Sequence, residues 1–316
     1  MPDKKILAVV GATGAQGGGL ARAVLNDPNS KFKVRAITRD VNSEKAKALK
    51  KMGADVVEGN IDEEKSINKA FKGADLAYCV TFYWAHMSPE REVSNTHNLA
   101  KAAKQAGIKH AIWSTFEDTR EKYPISDTRM PTLNGKYKVP HFDAKAEANH
   151  YFTDLGVPTT FLLTSFYWDN LIYFGMGPKK GADGNYSITF PMGDKKLPGM
   201  AAEDIGKCAY GIFKLGNELI GKTVGIAGEH LTISQMANIL SNVLGIRISY
   251  NSVTPDVFRS FGFPGADDMG NMFQYKRDYE EEYCKVRDLG FSRKLNPELM
   301  TFEQWAQLNK SRIPLA

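Results

Sequence analysis

The chain has 316 residues, 42 % of them apolar and 24 % charged, and a formal net charge of +5. That length holds one large or two joined domains. No apolar run nears the roughly 18 residues of a membrane helix. No basic stripe with interleaved aromatics marks a nucleic-acid surface, and the three cysteines, Cys79, Cys208 and Cys284, have no metal-ligand spacing. No metal site is predicted, and the thiols read as reduced. The N-terminus runs straight toward a strand without a cleavage-type signal, which predicts a cytoplasmic protein.

Ile6–Val10 is a continuous apolar run and reads as the first strand, with a helix following near Gly17–Leu25. Lys33–Thr38 is a second strand and Ser43–Met52 a second helix, stopped by Gly53. Asp55–Glu58, Asp75–Val80, His110–Ser114 and Thr159–Leu163 read as further strands. Helices are expected over Glu63–Phe71, with Ile67, Ala70 and Phe71 buried, and over Pro89–Gln105, with Val93, Thr96, Ala100 and Ala103 on one face. Strands alternating with helices of this length predict a parallel sheet covered on both faces. The fold class is α/β: a Rossmann-type doubly wound sheet over residues 1–165, with a smaller α+β lobe over 166–316. A strand near 222–227 is expected to join the sheet. Within the lobe, Asp183-Gly184 signals a turn before a hairpin arm at Tyr186–Phe190, Thr232–Leu244 has helical spacing, and the region from Thr254 reads as helical.

The stretch between the first strand and helix, Gly11-Ala12-Thr13-Gly14-Ala15-Gln16-Gly17, has the spacing G-x-x-G-x-x-G. Between a buried strand and a helix start, this spacing predicts a dinucleotide site. One glycine supplies a left-handed turn, one a bare backbone beside pyrophosphate, and one a close helix–strand contact. The helix start offers N–H groups and a positive dipole end. NAD readers place an acidic residue after the second strand, whereas here Arg39 follows it. An arginine pairs with the 2′-phosphate of NADP(H). The alternative is that Asp40 takes the ribose instead.

These residues together resemble the NmrA-like family of atypical short-chain dehydrogenases over nearly the whole chain, and most closely its NADPH-sensing branch. The motifs that carry the resemblance are the glycine loop, "KVRAITRD", Phe82-Tyr83-Trp84, "HFDAKAE" (141–147), "FYWDN" (166–170), "GMAAEDIG" (199–206) and "GFPGADDMGNMF" (262–273). The resemblance implies that Asn60 and Ile61 lie near the adenine and Phe82, Tyr83 and Trp84 line the nicotinamide side. It implies that Lys145 holds the ribose and that Tyr167, Trp168, Asp169 and Asn170 close over the nicotinamide. It also implies a regulatory protein partner, either a transcription regulator or a metabolic enzyme. It leaves open a homodimer and a nuclear as well as cytoplasmic location.

Working short-chain dehydrogenases similar to this fold use a serine with Tyr-x-x-x-Lys. The four-residue spacing points both side chains into one cleft. Here Ser114 ends the fifth strand and Lys145 is present, but His141 stands where the tyrosine belongs. Imidazole exchanges protons near neutral pH, so His141 is a candidate in that place, beside a structural or ligand-contacting role. Two functions follow: a redox sensor with little or no turnover, or an NADPH-dependent reductase of quinones and related small carbonyl compounds. The polar loop from Asp118 to Val139 is expected to order over bound cofactor.

Overall fold

The computed structural model describes residues 4–315. In chain order they form β1 (Lys5–Val10), α1 (Ala15–Leu25), β2 (Phe32–Thr38), α2 (Glu44–Lys51), β3 (Asp55–Glu58), α3 (Glu64–Phe71), β4 (Leu76–Cys79), α4 (Pro89–Ala106) and β5 (His110–Thr115). After a long connection come α5 (Pro140–Glu147), α6 (Asn149–Asp154), β6 (Thr159–Leu163), β7 (Phe166–Tyr167), α7 (Asn170–Tyr173), β8 (Lys179–Lys180), β9 (Tyr186–Phe190) and β10 (Lys196–Met200). The remainder is α8 (Ala202–Leu215), β11 (Thr223–Gly225), β12 (Glu229–Thr232), α9 (Ile233–Leu244), β13 (Ile248–Ser252), α10 (Pro255–Arg259), α11 (Ala266–Asp278), α12 (Glu280–Val286), α13 (Leu289–Leu295) and α14 (Phe302–Asn309). No helix among the described residues is long and apolar enough to cross a membrane.

The chain divides into two units. The first contains the described residues up to Asp118, His141–Thr164 and Glu203–Val224; the second contains Thr119–Pro140, Ser165–Ala202 and Gly225 onward.

The first unit holds a seven-stranded sheet of order β11-β6-β5-β4-β1-β2-β3. Strands β6 through β3 of that order all pair in parallel, with Leu7 opposite Leu76 and Ala111 opposite Thr159. This is the Rossmann-type sheet expected from the sequence. The chain runs outward from β1 to β3, then returns to β4 on the other side, so the order reverses between β1 and β4. A crevice opens at the carboxyl ends of the strands at such a reversal. The central strands β4 and β5 are buried along their whole length, which is why β4 reads as an unbroken apolar run and β5 carries Ala111, Ile112 and Trp113 in succession. On the helical side Trp113 stacks on Phe152 with ring centres 5.6 Å apart.

Helix α8 was not expected from the sequence. It lies so close to α1 that a Cβ added at Gly206 would stand 2.0 Å from the Leu20 backbone nitrogen, and one at Gly19 2.6 Å from the Glu203 carbonyl oxygen. The two helices meet backbone to backbone. Arg22 Nε donates to Glu203 Oε1 at 2.9 Å, and its Nη2 reaches Oε2 as well.

The second unit carries two three-stranded sheets, β12-β10-β7 and β13-β9-β8. The expected hairpin is present: β8 and β9 pair antiparallel. The region from Thr254 is helical as expected. Its aromatic core joins Phe190 to Phe273 at 5.4 Å and Phe258 to Phe273 at 5.4 Å.

The connection after β5 differs from the loop expected to order over cofactor, because it is already packed. Tyr123, Met130, Tyr137, Lys138 and Val139 are all buried. Lys138 Nζ donates to the carbonyls of Asp127 at 2.6 Å and Met130 at 2.7 Å. Asn271 and Gln274 of α11 donate to the Pro131, Lys138 and Arg129 carbonyls. A segment whose backbone is saturated this way belongs to the second unit's core. Cys79, Cys208 and Cys284 carry free thiols; the first two are buried, and burial pushes both well above the usual thiol range.

Candidate functional site

The loop after β1 has the shape its glycines predict. Gly11 has φ +63°, the left-handed region that side chains avoid. Its carbonyl accepts the Gly14 N–H at 2.8 Å, closing a tight turn. The Ala12 N–H is held by the Ile37 carbonyl at 3.2 Å, and Thr13 Oγ1 lies 3.4 Å from Thr38 Oγ1. A Cβ on Gly17 would stand 2.6 Å from the Gly11 carbonyl oxygen and 2.7 Å from that of Val10. Gly17 therefore seats the helix on the strand. Gly14 is the N-cap of α1 with no side-chain cap, and no acidic residue occupies the first turn, which begins at Ala15 and Gln16. A helix start with no acidic residue in its first turn and no side-chain cap suits an anion. These residues fit a pyrophosphate. The Gln16 side chain turns inward, where its Oε1 accepts the Tyr78 hydroxyl.

At the end of β2, Arg39 and Asp40 are both exposed. The Asp40 carboxylate accepts the Asn42 N–H at 2.8 Å, and its carbonyl accepts the Ser43 hydroxyl at 3.0 Å. Asp40 thus stabilises the turn into α2. Asn60 organises the turn after β3: its amide donates to Glu63 Oε1 at 2.9 Å and its Oδ1 accepts the Asp62 N–H at 3.2 Å. The Ile61 carbonyl accepts Asn98 Nδ2 at 2.9 Å.

Beyond β4 the aromatic triplet splits. Phe82 is 58 % exposed, whereas Tyr83 is buried. Trp84 lies half-buried against the His141 ring, 4.8 Å between centres. His141, on α5, also meets Tyr83 at 5.9 Å, Phe116 at 6.2 Å and Phe142 at 4.7 Å. Its imidazole is enclosed by rings. Ser114 is buried in β5, opposite Leu162.

Lys145 is buried one helical turn beyond His141. Its Nζ lies 2.5 Å from Glu92 Oε1, 5.0 Å from the centre of the Trp113 ring, and within hydrogen-bond reach of Thr81 Oγ1. Thr81 Oγ1 also donates to Glu92. The other Glu92 oxygen faces His86 Nε2 at 3.3 Å. Burial alone would raise the Glu92 carboxyl. The Lys145 ammonium, with the nearby His86 ring and hydrogen bonds from Lys145 and Thr81, outweighs burial and holds it down at about 2. The lysine is therefore ion-paired with a carboxylate that stays anionic across the neutral range.

Glu92, Thr81 and His86 were missed in the sequence. The expected inner face of α4 began at Val93. Thr96, Ala100 and Ala103 of that face are buried as expected, but the buried face also takes in Glu92, Asn95 and Leu99 and leaves Val93 half-buried. The i, i+3, i+4, i+7 series from Glu92 was readable, but an ionised residue at its head argued against it.

The four residues of the "YWDN" segment lie in the second unit. Tyr167 is half-buried in β7. Trp168 is core. It is 1 % exposed, packs on Phe302 at 5.3 Å, and occupies the space a Cβ on Gly199 would take. Its ring is enclosed within the core of the second unit. Asp169 takes the N-cap position of α7, and its Oδ2 accepts the Ala202 N–H at 2.8 Å. Burial raises its carboxyl pKa, with the Ala202 bond opposing. Asn170 begins α7.

A doubly wound sheet, a glycine turn at its first helix and an uncapped helix start define a Rossmann-type nucleotide-binding protein. Residues 3–306 match the NmrA-like family, and the chain belongs to it. An NmrA-like family domain-containing protein of Dictyostelium discoideum is 32 % identical over 261 residues, covering 80 % of this chain and 82 % of that one. The NmrA-like family domain-containing oxidoreductase FrzB of Cladobotryum sp. is 27 % identical over 284 residues, covering 85 % and 83 %. Among solved structures, NmrA, a negative transcriptional regulator, in complex with NAD is 25 % identical with a TM-score of 0.77, covering 96 % of this chain and 95 % of that one.

Proposed function

We propose that this chain binds NADP(H) and serves as a redox sensor and regulator with little or no hydride-transfer turnover. The glycine turn and the uncapped start of α1 hold the pyrophosphate, and Arg39, exposed at the end of β2, receives the 2′-phosphate. Asn60, Ile61, Phe82, Tyr83 and Trp84 line the rest of the first unit's site. The cofactor, when bound, supplies or accepts hydride. The observation that carries the sensor reading is the proton relay. His141 replaces the tyrosine and is enclosed by rings, while Lys145, whose cation would assist a proton donor, is neutralised by Glu92. The similar protein NmrA is a negative transcriptional regulator, which supports a protein partner that distinguishes cofactor-bound from cofactor-free protein.

The reductase reading has support in the name of the FrzB relative, an oxidoreductase, and in Ser114 and Lys145, which keep the positions of a working site. Disappearance of NADPH absorbance against a panel of quinones separates the two. The sensor reading expects stoichiometric binding and no sustained oxidation. Sustained turnover that Lys145→Ala abolishes would replace it with the reductase.

A further inference from the structure

Three charged or ionisable side chains, Lys145, Glu92 and His86, meet at the carboxyl end of β4, where Thr81 joins them. Glu92 is fully buried and Lys145 is 6 % exposed, so water screens their charges little. The pair is charge-balanced: one ammonium faces one carboxylate at 2.5 Å. The oxidised nicotinamide ring is a cation and the reduced ring is neutral. A site beside the ring that is itself neutral treats the two alike, whereas an uncompensated cation repels the oxidised form.

We infer that Glu92 is a positioning residue that sets the discrimination between NADP⁺ and NADPH, by cancelling the charge of Lys145 where that lysine meets the cofactor. The inference rests on the reading that Lys145 belongs to the cofactor site. The low pKa of Glu92 keeps the cancelling charge in place throughout the neutral range. The other titratable group facing the carboxylate is His86, at 3.3 Å. Without that negative charge, the lysine biases the site toward NADPH.

The test is the ratio of dissociation constants for NADP⁺ and NADPH, measured by calorimetry on the full chain. Glu92→Gln keeps the shape and removes the negative charge. Its ratio moves about tenfold toward NADPH. Lys145→Met leaves the carboxylate and moves the ratio the opposite way. The double variant returns it to the parental value, and Glu92→Asp, which restores the charge, stays near it. A merely structural role weakens both cofactor forms together and leaves the ratio fixed. An unchanged ratio in both single variants, with binding retained, overturns the inference. If Glu92→Gln fails to fold, Lys145→Met and the double variant decide it by the same signs. Failure of the parental chain to bind either form overturns the NADP(H) reading and this inference with it.

Discussion

Replacing Arg39 by aspartate separates NADP(H) from NAD(H) recognition. Arg39 stands exposed just past β2, and the neighbouring carboxylate of Asp40 is occupied by the Asn42 N–H at 2.8 Å. One oxygen of that carboxylate is held by the turn into α2, and Arg39 is the exposed cation at this end of the strand that a 2′-phosphate would pair with. A charge-assisted hydrogen bond to a phosphate contributes ~1.5–3 kcal/mol, equivalent to roughly 10- to 150-fold in affinity. Solvent screening at an exposed side chain pulls the loss toward the lower end, while the new carboxylate repels the 2′-phosphate and pushes it up. The assay is parallel titration of NADPH and NADH into parental and Arg39→Asp protein. NADPH weakens by about 10- to 150-fold, NADH holds or tightens, and the melting temperature stays put because Arg39 packs against no core. Parental affinity for NADPH in the variant refutes the argument, and so does an equal loss of both cofactors.

Two further perturbations test the loop and the sheet. Gly17→Ala places a methyl group 2.6 Å from one backbone oxygen and 2.7 Å from another. Neither can move without displacing β1 or the start of α1, so the variant loses about 1–3 kcal/mol of stability. NADPH affinity falls with it; unchanged urea unfolding would show that the helix does not sit on the strand as described. His110, buried in β5 with Nε2 2.8 Å from Thr160 Oγ1, is pushed by burial down to about 4. The unfolded chain takes up this proton near pH ~6.5, the native chain only near about 4. Stability present above the upper value is thus lost as pH falls through the window, by about 3 kcal/mol in all. His110→Gln flattens the urea midpoint across that window, and a slope equal to the parental one refutes the assignment.

Much of this fold was legible because its signals are local. The strands of a sheet buried on both faces are apolar throughout, and the glycines that stop helices stand at their ends, as Gly107 does in the left-handed conformation after α4. The turn at Gly11–Gly17 was legible for the same reason: a left-handed residue, a bare backbone and a helix start follow one another within seven positions. Contacts across long sequence distances were not. Gly206 reads as an ordinary residue of "GMAAEDIG" until α1 is laid against it, and nothing near Gly19 announces that the Glu203 backbone will be its neighbour. Likewise Asp118–Val139 reads as a mobile polar loop because its lysines and arginines are visible in the sequence, whereas the α11 amides that saturate its carbonyls come from more than a hundred residues away.

Glu92 shows why a site can be harder to read than the fold that carries it. A carboxylate is the last residue to expect on the inner face of a helix, since burying it alone is costly. Helix spacing read by hydrophobicity therefore starts at Val93, one residue late. Burial becomes favourable only when a cation from another element meets the carboxylate, and Lys145 lies 53 positions further along the chain, on a helix already assigned a different task. Each residue alone has a familiar interpretation: an exposed acid on an amphipathic helix, and a lysine left over from a dehydrogenase triad. Only their 2.5 Å contact joins them. That contact changes what the lysine can do. A free ammonium assists proton transfer beside a reacting carbonyl, whereas one paired with a permanently ionised carboxylate contributes little net field. The missing tyrosine and the paired lysine weaken the same proton relay independently, so restoring the tyrosine by His141→Tyr, with Glu92 left in place, should restore little turnover.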